Sequence, residues 1–225
     1  MNDSTALNED LAPMGSKKVA VVIGRFNPPT RGHYKVIDEV KKFIRANKGL
    51  GLEATPFVVI IGGSKTDADK KRNPLTVDER LVFMRGSGNA NGVSFYTAPN
   101  AFKAFETLRE KGFEPIAVAA GTDRIQDYIR ILDEYFKTPD GQPIKHYRVK
   151  LDRDESALSG NNQGLDDVLA KMKDADVETD VVSGSLARRA VELGFEPEFA
   201  KIVGLENKPD LAKKLYAKIA AAVKE

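Results

Sequence analysis

The chain has 225 residues, with 35 Lys and Arg against 33 Asp and Glu, and no cysteine. That length suits one large α/β domain or a domain with a small appendage, and the near-cancelling charges give no reason to expect a nucleic acid or a membrane surface as partner. The absence of cysteine excludes disulfides and thiolate zinc sites and suits a reducing, cytoplasmic setting, and no apolar run nears the roughly 20 residues that cross a bilayer.

Residues 1–16 are polar, contain Pro13 and Gly15, and lack the basic-then-apolar order of a signal peptide, so they read as a flexible arm. Apolar runs at residues 19–23, 57–61, 93–96, 116–119 and about 147–151 read as strands. Helical patterns at about 34–47, 76–86, 101–111 and 125–136 follow the first four. Strand and helix in this alternation predict a parallel sheet with right-handed crossovers. Turn chemistry supports the divisions. Thr76 with Glu79 forms a capping-box pattern after Asn73-Pro74, Pro99-Asn100 opens the next helix, Gly112 ends it, and the 138–143 cluster closes the helix after that.

Beyond residue 151 the pattern weakens. Residues 152–164 are Gly- and Asn-rich and read as a loop, 165–173 as a short helix, 177–182 as a last strand and 183–193 as a helix. Pro209 opens a final helix carrying Leu211, Leu215, Ile219 and Val223 at four-residue spacing. That apolar stripe either packs back on the domain or makes a contact in a homo-oligomer.

Residues 24–33 read G-R-F-N-P-P-T-R-G-H, between the first strand and the first helix. The first turn of a helix has unpaired N–H groups and the positive end of the dipole, which favour an anion. Gly24 permits close backbone approach, Pro28-Pro29 stiffens the turn, Thr30 is placed to cap the helix and bind phosphate through its hydroxyl, and Gly32 leaves room beside the helix. His33, one of two histidines in the chain, is placed to donate to a phosphate oxygen as charge builds on it. The other, His146, has no motif around it and reads as structural.

A second segment, residues 182–188, reads V-S-G-S-L-A-R. Ser183 suits an N-cap, and Ser185 and Arg188 are three apart on one helix face, with a planar guanidinium for phosphate. Arg189, four from Ser185, competes for that role.

The first segment resembles the first signature of the HxGH nucleotidyltransferase superfamily, with Thr30 where many members have a first histidine. Its G-R-F-x-P opening, through Arg25 and Phe26, is similar to that of certain nicotinamide-mononucleotide adenylyltransferases. Other branches carry aspartate where this chain has Asn27. The second segment is similar to the signature I-S-S-T-x-x-R, with Gly184 for the second serine and Ser185 for the threonine. Family spacing selects Arg188 over Arg189. The resemblance implies an α/β fold, a Rossmann-like doubly wound parallel sheet of about five strands with helices on both faces and a C-terminal helical extension. The domain is expected over 17–203, with 204–225 as the extension.

The resemblance also implies roles. Residues Gly63, Ser64 and Lys65, after the second strand, and Asn73 and Arg80, in a stretch common among nicotinamide-mononucleotide enzymes, are expected at the acceptor. Lys65 and Lys71 either pair with phosphate or are solvated loop charges. Arg80 either orients its loop, touches phosphate or pairs on the helix surface. Gly121 and Asp123, after the fourth strand, are expected at a ribose hydroxyl or base, with helix capping by Thr122 or Asp123 as the other reading. Gly24, Arg25, Phe26, Gly32, Ser183 and Ser185 are expected to bind nucleotide phosphates, and His33, Thr30 and Arg188 to stabilise the transferring centre.

The implied reaction is attack by an acceptor phosphate oxygen on the α-phosphorus of a nucleoside triphosphate, with pyrophosphate leaving. An anionic acceptor needs no general base, so catalysis reduces to alignment and charge stabilisation. Mg²⁺ is expected to arrive with the triphosphate. ATP with nicotinamide mononucleotide, giving NAD, is the first expectation. A CTP-dependent transfer to an alcohol phosphate is the second, and an inert nucleotide-binding or scaffolding module the third. Every one of these needs the two signatures to meet at one polyanion.

Overall fold

Strand β1 (Lys18–Gly24) carries an unbroken apolar run, and its interior residues are buried on both faces, as a central parallel strand requires. The computed structural model describes residues 18–50, 53–63, 68–121, 124–138, 140–143, 146–149, 162–174 and 182–224. Among these, β1 pairs in parallel with β2 (Thr55–Ile61) on one side and with β4 (Glu114–Ala119) on the other. Strand β3 (Ser94–Ala98) extends the sheet beyond β2, and the two-residue β5 (Tyr147–Arg148) extends it beyond β4, giving the order β3-β2-β1-β4-β5. The expected doubly wound, Rossmann-like parallel sheet is therefore present. The predicted fifth strand shortens to its first two residues, and Lys150 and Leu151 lie outside the described residues.

Chain contacts divide the protein into two compact units. One draws on Met1–Arg25, Val36–Ser64 and Gly92–Leu151, the other on Phe26–Lys35, Lys65–Asn91 and Asp152–Glu225.

The first unit holds the sheet. Val19, Val21, Ile23, Phe57, Val59 and Val118 point to one face and pack with Ala104, Phe105 and Leu108 of α3 (Ala101–Glu110) and Leu132 of α4 (Ile125–Tyr135). Each such side chain taken out of water contributes about 1.5–3 kcal/mol. Ala20, Val22, Val58 and Ile60 alternate to the other face and are equally buried. In α1 (Arg31–Ala46), the helix that connects β1 to β2, Val36, Ile37 and Val40 are buried as well, as expected of a helix in a parallel crossover connection. Local signals set the helix ends as expected: Asn100 Oδ1 accepts from Lys103 N–H at 2.9 Å, and Gly112 (φ 74°) takes the left-handed position after α3. His146 also sits as expected of a structural residue, half-buried with Nδ1 2.7 Å from the Pro115 carbonyl, where desolvation lowers its pKa.

The second unit is helical. It contains the first turn of α1, α2 (Val77–Ser87), α5 (Asn162–Asp174), α6 (Gly184–Glu192), α7 (Glu196–Val203) and α8 (Pro209–Lys224). The Thr76–Glu79 capping box forms in both directions, with the Thr76 hydroxyl accepting from Glu79 N–H at 3.2 Å and a Glu79 carboxylate oxygen accepting from Thr76 N–H at 3.0 Å. Leu215 and Ile219 of the C-terminal stripe are buried with Phe199, Ile202, Leu186 and Leu169, and Leu211 and Val223 pack at the margin of that core. Helix α7 has no counterpart among the predicted elements. Eight residues hold too little periodicity to see, although Pro197 near its start and the left-handed Gly204 (φ 68°) at its end are the marks of a short helix. The predicted strand at 177–182 lies outside the described residues except for Val182, which is buried and not in a strand. Among the described residues no helix is long and apolar enough to cross a membrane.

Candidate functional site

The loop after β1 bends sharply before α1 begins. Phe26 adopts a left-handed backbone (φ 52°), rare for a residue with a large side chain, and is nonetheless almost fully buried. Such conformations persist only where surroundings impose them, and they cluster at working sites. Its ring lies 5.0 Å from the imidazole of His33, centroid to centroid, at 59°. The peptide bond from Asn27 to Pro28 is cis.

Asn27 holds this loop in place. Its Nδ2 donates to the Leu75 carbonyl at 2.9 Å, and its Oδ1 accepts from the Leu75 N–H at 3.1 Å. The side-chain amide thus pairs with one peptide group in both directions, 48 residues away in sequence and out of water. An aspartate could not donate the first of these bonds, which is a physical reason for asparagine at this position.

The second signature reaches the same loop. Ser183 caps α6, its hydroxyl accepting from Leu186 N–H at 3.1 Å, which leaves its own proton to donate. From the second turn of that helix, Arg188 Nη1 donates to the carbonyl of Asn27 at 2.7 Å, and Nη2 donates to Ser185 Oγ at 3.0 Å. Signatures 161 residues apart therefore touch directly. Gly184 makes the approach possible. A Cβ there would stand 3.0 Å from the Asn27 carbonyl oxygen and 3.3 Å from Arg188 Nη1. Arg189, the competing residue, is turned elsewhere. It makes a two-pronged contact with Asp166 of α5, Nε to Oδ1 at 2.6 Å and Nη2 to Oδ2 at 2.9 Å, and also bonds Glu192. Those bonds hold the Asp166 carboxyl below the usual carboxylate range.

The remaining predicted positions fall in three groups. Phe26, Thr30, Gly32, His33, Asn73, Arg80, Ser183, Ser185 and Arg188 belong to the second unit. Thr30 is fully buried and Gly32 is buried, while His33 is half-buried. Thr30 lies behind His33, with its hydroxyl 2.9 Å from Nδ1. Asn73 is buried just before the Leu75 segment that Asn27 grips. Arg80 is not on the helix surface: among the described residues it is the largest fully buried side chain, and its Nε donates to the Thr76 carbonyl at 3.1 Å, so it braces the loop entering α2. Gly24, Arg25, Gly63 and Gly121 belong to the first unit, at the carboxyl ends of β1, β2 and β4, the edge of an open parallel sheet where ligands bind. Gly63 also answers a packing need, since a Cβ would lie 2.9 Å from the Pro99 carbonyl oxygen. Ser64, Lys65, Thr122 and Asp123 lie outside the described residues.

Asn27 is the residue that sequence reasoning did not place at the site. Its only sequence signal is that it stands where related signatures carry aspartate, and that signal does not point to Leu75.

Comparison with curated proteins finds no match to the chain. Comparison with protein families does: residues 21–190 match the cytidylyltransferase-like family, a stretch that begins inside β1 and ends inside α6, just past Arg188, and so contains both signatures. The meeting of these signatures in space and the match over most of the sequence agree, and the chain belongs to the cytidylyltransferase-like family of the HxGH nucleotidyltransferase superfamily.

Proposed function

We propose that the chain transfers a nucleoside monophosphate from ATP to nicotinamide mononucleotide, releasing pyrophosphate and forming NAD. The observation that carries the transfer reading is the 2.7 Å bond from Arg188 to the Asn27 carbonyl, which joins the two phosphate-binding signatures within one unit. His33 would donate to the α-phosphate as its charge grows in the pentavalent centre. The α6 N-terminus, with Ser183 and Ser185, would hold the β- and γ-phosphates, and Arg188 would offset charge on departing pyrophosphate. Arg25 and the 73–85 stretch support nicotinamide mononucleotide as the acceptor through their resemblance to enzymes that use it.

The donors of the second unit are an imidazole, hydroxyls and a guanidinium, and among the described residues no three His, Asp or Glu side chains are grouped to hold a metal. Such donors fit the phosphates of a Mg²⁺–triphosphate complex better than the oxygen cage of the ion itself. When bound, Mg²⁺ would neutralise charge on the β- and γ-phosphates.

The family match also favours a second reading, CTP with an alcohol phosphate as acceptor. Pyrophosphate release measured with ATP and with CTP, each with nicotinamide mononucleotide, separates the two. Release with ATP alone is the expected result, and release with CTP alone would overturn NAD formation. Tight triphosphate binding without release under either condition would instead identify an inert nucleotide-binding module. In the active enzyme, His33→Ala is expected to lower kcat by about 10² to 10³, the usual loss of one oxyanion donor, with little change in nucleotide Kd. An unchanged kcat would remove His33 from the mechanism.

A further inference from the structure

His33 is held by an unusual helix cap. Helix α1 starts at Arg31, and the Thr30 carbonyl accepts from the N–H groups of His33 at 2.9 Å and Tyr34 at 3.2 Å, so Thr30 is the capping residue and His33 the third residue of the helix. In an ordinary capping box a Glu or Gln at that third position accepts from the backbone N–H of the cap. Here the imidazole takes that place. The Thr30 N–H donates to His33 Nδ1 at 3.0 Å, and the Thr30 hydroxyl oxygen lies 2.9 Å from the same nitrogen.

A peptide N–H can only donate. His33 Nδ1 must therefore present its lone pair, and a neutral imidazole then carries its single proton on Nε2. Nε2 lies across the ring, away from Thr30. Turning the ring over would break both Thr30 contacts and disturb its packing on Phe26, which is itself confined by burial and a left-handed backbone. His146 provides an internal contrast: its Nδ1 faces the Pro115 carbonyl, which can only accept, so its proton belongs on Nδ1.

We propose that Thr30 is a positioning residue whose backbone N–H holds His33 as the Nε2–H tautomer, aiming a proton at the anion that binds before α1. That the anion is a transferring phosphate rests on the function proposed above; the tautomer does not. A fully buried Thr30 then acts on the reaction through His33 rather than by touching the nucleotide. It also follows that the backbone, not the hydroxyl, selects the tautomer.

The two histidines make this directly observable. Long-range proton–nitrogen NMR of the full chain, labelled with ¹⁵N-histidine and held at about pH 8 where an ordinary imidazole is neutral, should give two opposite ring patterns, with the proton on Nε2 for one histidine and on Nδ1 for the other. His33→Asn should delete the Nε2–H set. A His33 proton on Nδ1, or averaging between the two nitrogens, overturns the proposal. Thr30→Val keeps the N–H and removes the hydroxyl, so the Nε2–H pattern should persist; its loss would show that the backbone does not set it. Kinetics test the aim of the proton. His33→Gln puts an amide nitrogen near the Nε2 position and His33→Asn near Nδ1, so the glutamine variant should keep about tenfold more turnover, and equal losses would refute the aim. The Nε2–H pattern in a chain that releases no pyrophosphate from any triphosphate would uphold the tautomer and overturn the transfer reaction, so the two failures are distinct.

Discussion

Replacing Asn27 by Asp changes one NH₂ group into an oxygen at the point where three segments meet. The wild-type amide donates to the Leu75 carbonyl at 2.9 Å and accepts from the Leu75 N–H at 3.1 Å, while the Asn27 main-chain carbonyl takes the Arg188 bond at 2.7 Å. The carboxylate keeps the acceptor bond and loses the donor, leaving the buried Leu75 carbonyl facing a like-charged oxygen. An unmet buried acceptor costs about 1–3 kcal/mol, and the poorly compensated carboxylate adds to that, so Asn27→Asp should lower stability by about 2–4 kcal/mol near pH 7. The sign of its pH dependence follows from the protonated form. A neutral carboxylic acid has one O–H and can donate to Leu75 as the amide does, so folding raises the pKa of the new carboxyl above its unfolded value of about 3.9. That contribution is fully present below about pH 4 and is lost as pH rises through the folded value. Urea unfolding of both proteins at about pH 4 and about pH 8, extrapolated linearly, should show a small gap in acid and a large one in base. kcat should fall with the gap, because the loop that presents His33 and the carbonyl that receives Arg188 both depend on this pairing. A gap that stays constant with pH, or no gap at about pH 8, would mean that the amide does not clamp Leu75 and would remove the reasoning offered for asparagine at this position.

Gly184→Ser restores the serine of the related signature, yet it should lower stability by about 1 kcal/mol and lower kcat, because its Cβ would crowd the Asn27 carbonyl at 3.0 Å and Arg188 Nη1 at 3.3 Å; faster turnover in steady-state assays would show that the close approach is not needed. Burial pushes the Tyr34 hydroxyl from 10.0 up to about 12. Its folded pKa exceeds the unfolded one, so the stabilisation is complete below about pH 10 and declines above it by about 1.4 kcal/mol per pH unit, some 2–3 kcal/mol in all. Tyr34→Phe should flatten the alkaline limb of a stability–pH curve by that amount, and identical limbs in the two proteins would contradict the assignment.

The family was legible in the chain before any coordinates, because its signals are local. Apolar runs mark buried parallel strands, and Thr76 with Glu79, Asn100 and Ser183 each act on a backbone group three residues away, a reach that sequence spacing reports faithfully. The two signatures belong to the same class: each is a short segment whose turn and cap chemistry can be read in place. What tertiary structure alone decided is which distant groups these segments meet. Arg188 and Arg189 are adjacent and chemically alike, yet one reaches Asn27 and the other Asp166, because they leave α6 in different directions toward different neighbours. Arg80, on a helix whose periodicity would allow a surface ion pair, is instead fully buried on the Thr76 carbonyl. Asn27 carries no mark of its grip on Leu75, 48 positions on, since that bond depends on the path of the intervening chain and not on either residue's own preference.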